Sequence, residues 1–119
     1  MKITWKSIYN HLTAAGFDVY SMGQHKGECK TPYLVLKQRG ADLRYSVSDR
    51  LFEILMYYPA NRYSGFAEYV DTVREAMREL FPQCRMASDE SEHYLDDEKK
   101  AYMSSLLYRA PVVARYIHD

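Results

Sequence analysis

With 119 residues, 47% hydrophobic and 27% charged, the chain has the length of one domain and the composition of a globular one, large enough for one core and too short for two. Sixteen basic and sixteen acidic residues cancel, so no global field draws nucleic acid or an anionic membrane, and any electrostatic role falls to local patches. No stretch approaches the roughly 20 apolar residues that span a bilayer, and the opening Met-Lys-Ile-Thr-Trp-Lys lacks the apolar core of a secretory signal. The expectation is a cytosolic chain in which Cys29 and Cys84, far apart and at no zinc or CxxC spacing, stay reduced.

Thr4 is placed to cap a first helix in which Trp5, Ile8, Leu12 and Ala15 recur at helical spacing, and Gly16 suits the left-handed position that ends it. Residues 17–22 alternate Phe17 and Val19 with Asp18 and Tyr20, the pattern of a strand with one buried face. Residues 23–31 are polar, carry Gly23 and Gly27, and read as a mobile loop. Pro32 opens a second strand over 33–37, whose Leu-Val-Leu run predicts cover on both faces or a central place in the sheet. Residues 38–44 read as a turn around Gly40. From 46 to 58 a longer third strand puts Phe52, Ile54 and Met56 on one face and Leu51, Glu53, Leu55 and Tyr57 on the other. The Phe52 face is the predicted core, because a buried Glu53 would need a partner to offset its desolvation.

Pro59 stops that strand, and Ser64 is the predicted cap of a second helix with apolar positions Phe66, Tyr69, Val70, Val73, Met77, Leu80 and Phe81. Asp71, Arg74, Glu75, Arg78 and Glu79 fall largely on its opposite side. Pro82 ends the helix, and residues 84–87 begin a fourth strand. Residues 88–100 hold six carboxylates, Asp89, Glu90, Glu92, Asp96, Asp97 and Glu98, and form either a long acidic hairpin tip or a disordered loop. Residues 102–109 resume strand alternation; Pro111 then breaks the element, leaving 110–119 as a C-terminal tail with Val112, Val113, Tyr116 and Ile117. The predicted order is α-β-β-β-α-β-β: a single α+β domain over residues 1–119, with two helices packed on a mostly antiparallel sheet.

Nothing in this pattern recommends catalysis. His25 and Cys29 make half a metal site with no second pair at a recognisable spacing. His11, His93 and His118 read as solvated histidines. The acidic run lacks the alternating ligands, central glycine and closing glutamate of a calcium loop, and Asp96 and Asp97, adjacent in extended chain, point to opposite faces. Phosphate-cradle, dinucleotide and nucleophile-elbow signatures are all missing. The expectation is a non-enzyme without metal or cofactor.

Charge distribution is more suggestive. Lys26, Lys30, Lys37, Arg39, Arg44 and Arg50 gather around the first two loops, whereas the carboxylates follow the second helix. Either these are independent solvated loops, which composition by itself favours, or opposite patches meet head to tail between neighbouring copies, a heterologous contact that closes into a ring when the rotation permits. Twelve tyrosines, with Tyr57, Tyr58 and Tyr63 beside the strand-to-helix turn, weigh toward an interface.

The opening helix, the loop GQHKGECKTPYLVLK, the strand FEILMYYPANRYS and the helix FAEYVDTVREAM resemble the small tail-completion or tail-terminator proteins of long-tailed bacteriophages and phage-like elements, over about residues 5–108. The resemblance implies an α+β structural subunit, without enzyme activity or cofactor, that forms a hexameric ring on the completed tail tube, ends tube growth and offers the surface for head docking. Its implied partners are copies of itself, the tail tube protein and the head-tail connector, with DNA only as passing cargo. Its implied place is the virion tail, assembled in the bacterial host cytoplasm. The candidate ring and tube contacts are Lys26, Lys30, Arg39, Arg44, Tyr58, Tyr63, Asp89, Glu90, Glu92, Asp96 and Asp97. The acidic segment either pairs with a neighbour's basic loop or faces a DNA channel, where a negative wall lets phosphates slide. Two alternatives stay open: a head-to-tail connector or stopper subunit, and a small nucleic-acid-binding regulatory domain using the basic residues between 26 and 50.

Overall fold

Eight elements follow one another: α1 (Trp5–Ala14), β1 (Val19–Tyr20), β2 (Tyr33–Arg44), β3 (Val47–Pro59), α2 (Tyr63–Arg78), β4 (Arg85–Met86), β5 (Tyr94–Asp96) and β6 (Ala101–Val113). They are seen in a computed structural model that describes residues 3–44 and 47–113. The sheet runs β1-β2-β3-β6-β4, with β5 also on β6. All pairs are antiparallel except β1 on β2. The fold is α+β as expected, with one further three-residue strand, β5, which makes the acidic segment a hairpin tip rather than a disordered loop. No helix among the described residues is long and apolar enough to cross a membrane.

Local chemistry sets the ends of α1. Thr4 Oγ1 accepts from the Ser7 amide at 3.2 Å while Ser7 Oγ accepts from the Thr4 amide at 2.7 Å, a reciprocal box that satisfies two otherwise orphaned donors. At the other end Gly16 has φ 99°, and the Gly16 and Phe17 amides bond the Thr13 and Leu12 carbonyls at 3.0 and 3.1 Å, the paired arrangement that a left-handed glycine makes possible. Helix α2 begins two residues earlier than its sequence suggests. Its cap is Arg62 with no side-chain bond, so Ser64 lies inside the first turn. Its apolar stripe is as expected for Phe66, Val70, Val73 and Met77, all buried, but Phe81 lies beyond the helix and is 61% exposed.

Three strands differ from their predicted limits by more than one residue at an end. The strand expected over 17–22 is reduced to Val19–Tyr20. Strand β2 continues past Lys37 to Arg44, and the expected turn at Gly40 is a bulge. Gln38 pairs Phe52 and Gly40 pairs Leu51, so Arg39 is an extra residue, and Gly40 supplies the φ of 119° that the distortion needs. Strand β6 likewise runs through Pro111 to Val113. The Ala87 and Ser91 amides donate to the Leu107 and Ser105 carbonyls, so odd-numbered residues of β6 turn their backbone groups away from β3. Pro111 shares that parity, and β4 reaches only Arg109. The missing proline N–H therefore removes no bond to β3, and the strand tolerates it. Ser46 and the tail residues Tyr116 and Ile117 lie outside the described residues.

The core sits between the helices and one sheet face, where Phe52, Ile54, Met56, Leu106 and Leu34 are fully buried against Ile8, Leu12, Phe66 and Val73. Thirteen-residue strands span about 43 Å, close to the molecule's long dimension in its 50 × 26 × 25 Å extents. The 16-residue α2 spans only about 24 Å. The strands therefore outrun the helices.

Candidate functional site

On the face away from the helices, Tyr33 and Tyr57 are cross-strand partners, and their rings stack 4.8 Å apart. Period-two geometry forces this: both are out of phase with the Phe52 set. His25 stacks on Tyr33 at 3.8 Å, and Tyr20 meets the Tyr33 ring edge-on. Cys29 and Ala101 complete this second, smaller cluster.

Holding His25 and Cys29 there brings residues 21–32 across the end of the sheet. The Cys29 amide donates to the Lys99 carbonyl at 2.7 Å, and the Ala60 amide to the Lys100 carbonyl at 3.0 Å. Lys100 Nζ lies 3.4 Å from Glu28. Asp96 Oδ1 accepts from the Glu98 and Lys99 amides, both at 3.1 Å, which shapes the turn after β5. Residues 21–32, the turn after β3 and the turn after β5 are thus bonded into one loop-bearing end.

Burial holds its thiol and two of its phenols in the neutral form. Burial pushes the Cys29 thiol up to about 11 against the opposing charge of Lys99. Burial is also the main reason that the Tyr33 and Tyr57 phenols are raised above 10.0, with Cys29 and Asp96 adding to it. A thiol held in this way is no nucleophile at neutral pH.

Beside this end runs a hydrogen-bonded chain. Tyr63 Oη lies 2.6 Å from His93 Nδ1, His93 Nε2 lies 2.5 Å from Glu90 Oε2, and Arg74 donates to Glu90 Oε1 at 3.3 Å. A hydroxyl, an imidazole and a carboxylate in line have the order of an activated nucleophile. Here the imidazole is packed edge-on against Phe66 at 4.9 Å, and Tyr63 against Tyr102 at 5.2 Å. The chain ties residues 90 and 93 to α2 as a clamp. His93, expected to be solvated, has a side chain only 22% exposed. Sequence reasoning missed it because Tyr63 stands 30 positions away and Glu90 and His93 share no helix.

The predicted contact residues divide accordingly. Lys26, Lys30 and Asp97 are exposed on the loop-bearing end, with Asp96 in its turn. Glu90 and Tyr63 belong to the clamp, and Asp89 and Glu92 are exposed beside it. Tyr58 is half-buried and packs on Tyr69 and Phe66. Arg39 is exposed at the bulge, away from this end; Arg44 ends β2, its side chain outside the described residues. The basic loop and the acidic turn thus lie side by side within one chain. Among the described residues no group of three or more His, Cys, Asp or Glu is placed to hold a metal.

No family model matches the sequence, and no curated protein matches it.

Proposed function

We propose that the chain is a structural subunit that assembles with copies of itself into a ring capping a phage tail tube, where it ends tube polymerisation and provides the head-docking surface. In this reading it acts by stoichiometric binding, contacts the tube protein and the head-tail connector, lets DNA pass as cargo, and resides in the virion tail. The observation that carries the reading is the placement of exposed apolar side chains. Of the five large hydrophobic residues most open to solvent among the described residues, Met22, Tyr63, Tyr94 and Leu95 gather at or beside the loop-bearing end. Exposed apolar groups rimmed by charge mark contact surfaces between proteins; Met22 stands on the loop before β2, Tyr63 opens α2, and Tyr94 and Leu95 lie in β5. The resemblance of residues 23–37, 52–64 and 66–77 to tail-terminator proteins supplies the particular assembly.

The experiment is electron microscopy of purified protein mixed with assembled tail tubes. Annular density at one tube end, weakened in Leu95→Asp with unchanged thermal stability, is the expected result. Tubes left bare at saturating protein overturn the reading.

A further inference from the structure

The fifth exposed large hydrophobic residue, Phe81, lies elsewhere, at the rim of a cleft of about 350 Å³ between the end of α2 and β4. Met86 and Tyr108 line the cleft, and Arg74, Arg78 and Arg85 surround it. The guanidinium of Arg85 stands 5.9 Å over the Phe81 ring, and among the described residues Arg85 has no carboxylate partner. Arg78 pairs with Glu75, but both side chains are about two-thirds exposed, so that pair exchanges readily for another carboxylate. The charges of Arg74 and Arg78 reach the Tyr108 hydroxyl at the cleft wall. An aromatic ring flanked by arginines over an apolar floor is the composition of an interface anchor point.

The complement is present in the same chain. Within β5, Leu95 is 58% and Tyr94 53% exposed, and Asp97 and Glu98 in the following turn face solvent. Leu95 pairs with Tyr102 whereas β4 pairs with Tyr108 and Arg109. The turn and the cleft are therefore about 20 Å apart along β6 and have no means of meeting within one copy. The basic loop is a poor alternative receptor, since it already lies beside this turn with Lys100 on Glu28.

We propose that the arginine-lined cleft of one copy receives the acidic β5–β6 turn of the next, with Leu95 seated on Phe81 and Met86, and Asp97 and Glu98 paired with Arg78 and Arg85. Two different surfaces meet, so the contact is heterologous and leaves each copy one surface free for a further neighbour. The inference rests on the self-assembling reading above and names the surfaces it uses.

Two double variants test it, R78E/R85E and D97K/E98K, all four residues being exposed so that folding is preserved, as thermal melting checks. Self-association is measured by sedimentation over a concentration series and again on tail tubes. Each variant alone should lose at least about tenfold in association, as expected for reversed charges across a contact. Their equimolar mixture should recover it, because alternating copies again place opposite charges at every contact. Wild-type protein that stays monomeric in both settings, variants that associate normally, or a mixture without recovery overturns the proposal. Salt-sensitive duplex DNA binding lost in R78E/R85E while self-association is unchanged also overturns it, assigning the cleft to phosphates instead. Tube capping with normal ring formation by both variants removes only this inference. Charge-swap rescue without any tube binding removes only the tail reading.

Discussion

The two faces of the sheet are made by the same strands one residue out of phase, and they have different fates. On one face Phe52, Ile54 and Met56 vanish beneath two helices with no exposed surface. On the other, Leu51, Glu53 and Leu55 remain half open, and only the end beyond them is closed, by residues 21–32 lying over the Tyr33 and Tyr57 rings. Cohesion is thereby concentrated on the first face. The second face and its loop-bearing end are left to present side chains outward at little expense to the fold.

The sharpest way to break this comparison is truncation on each face. Phe52→Ala should cost about 3–5 kcal/mol, the usual penalty for an emptied aromatic site in a packed core, whereas Leu55→Ala, already half solvated, should cost about 1 kcal/mol. Urea unfolding measures both, and equal losses would mean that the faces share the stability. Next in size is Gly65→Ala in the first turn of α2. Ala is the better helix former, yet its Cβ would stand 2.9 Å from Tyr58 Cζ, so Tyr58 must move off Phe66 and Tyr69. A net destabilisation of about 1–2 kcal/mol is expected from overpacking, and a gain in melting temperature would show that Tyr58 gives way freely.

Alkaline titration probes both faces together. Burial raises Cys29 on the open face and Cys84 on the helix face from 9.0 to about 11. The neutral thiol is favoured in the folded state, so their contribution is fully present below pH 9 and is lost as pH rises from 9 through about 11. The urea midpoint should fall over that window, less steeply in Cys29→Ala and in Cys84→Ala; slopes identical to wild type would show that neither thiol is held protonated by the fold. The smallest effect belongs to Tyr33→Phe. The Tyr33 hydroxyl is buried with no hydrogen-bond partner among the described residues, so its removal relieves a desolvated group and should change stability by less than about 1 kcal/mol, toward stabilisation. A loss of several kcal/mol would reveal a bond through water.

Much of the helix-covered half was legible because its signals are local. Thr4 is followed by a helical stripe, Gly16 ends it, Phe52, Ile54 and Met56 share one strand face while Glu53 marks the other, and Val70, Val73 and Met77 recur at helical spacing. The misreadings share a cause. Gly40 and Pro111 look like breakers, yet Gly40 absorbs a bulge and the backbone position of Pro111 faces away from β3; whether either residue ends a strand depends on what lies alongside. The candidate contact surface was legible only as charged loops. That the basic loop and the acidic turn adjoin, and that His93 is clamped between Tyr63 and Glu90, follows from pairings across tens of residues.

Local patterns in the chain carry the periodicities, and with them both ends of α1, the core face of the long strand and the α+β class. These depend on neighbours within one or two turns of the chain. The assembled fold alone settles which end of the sheet gathers the exposed apolar side chains, and which arginines line a cleft about 20 Å along β6 from the acidic β5–β6 turn. The reason is physical: a period of two assigns a residue to a face, but only the pairing register and the crossing of loops assign that face a neighbour.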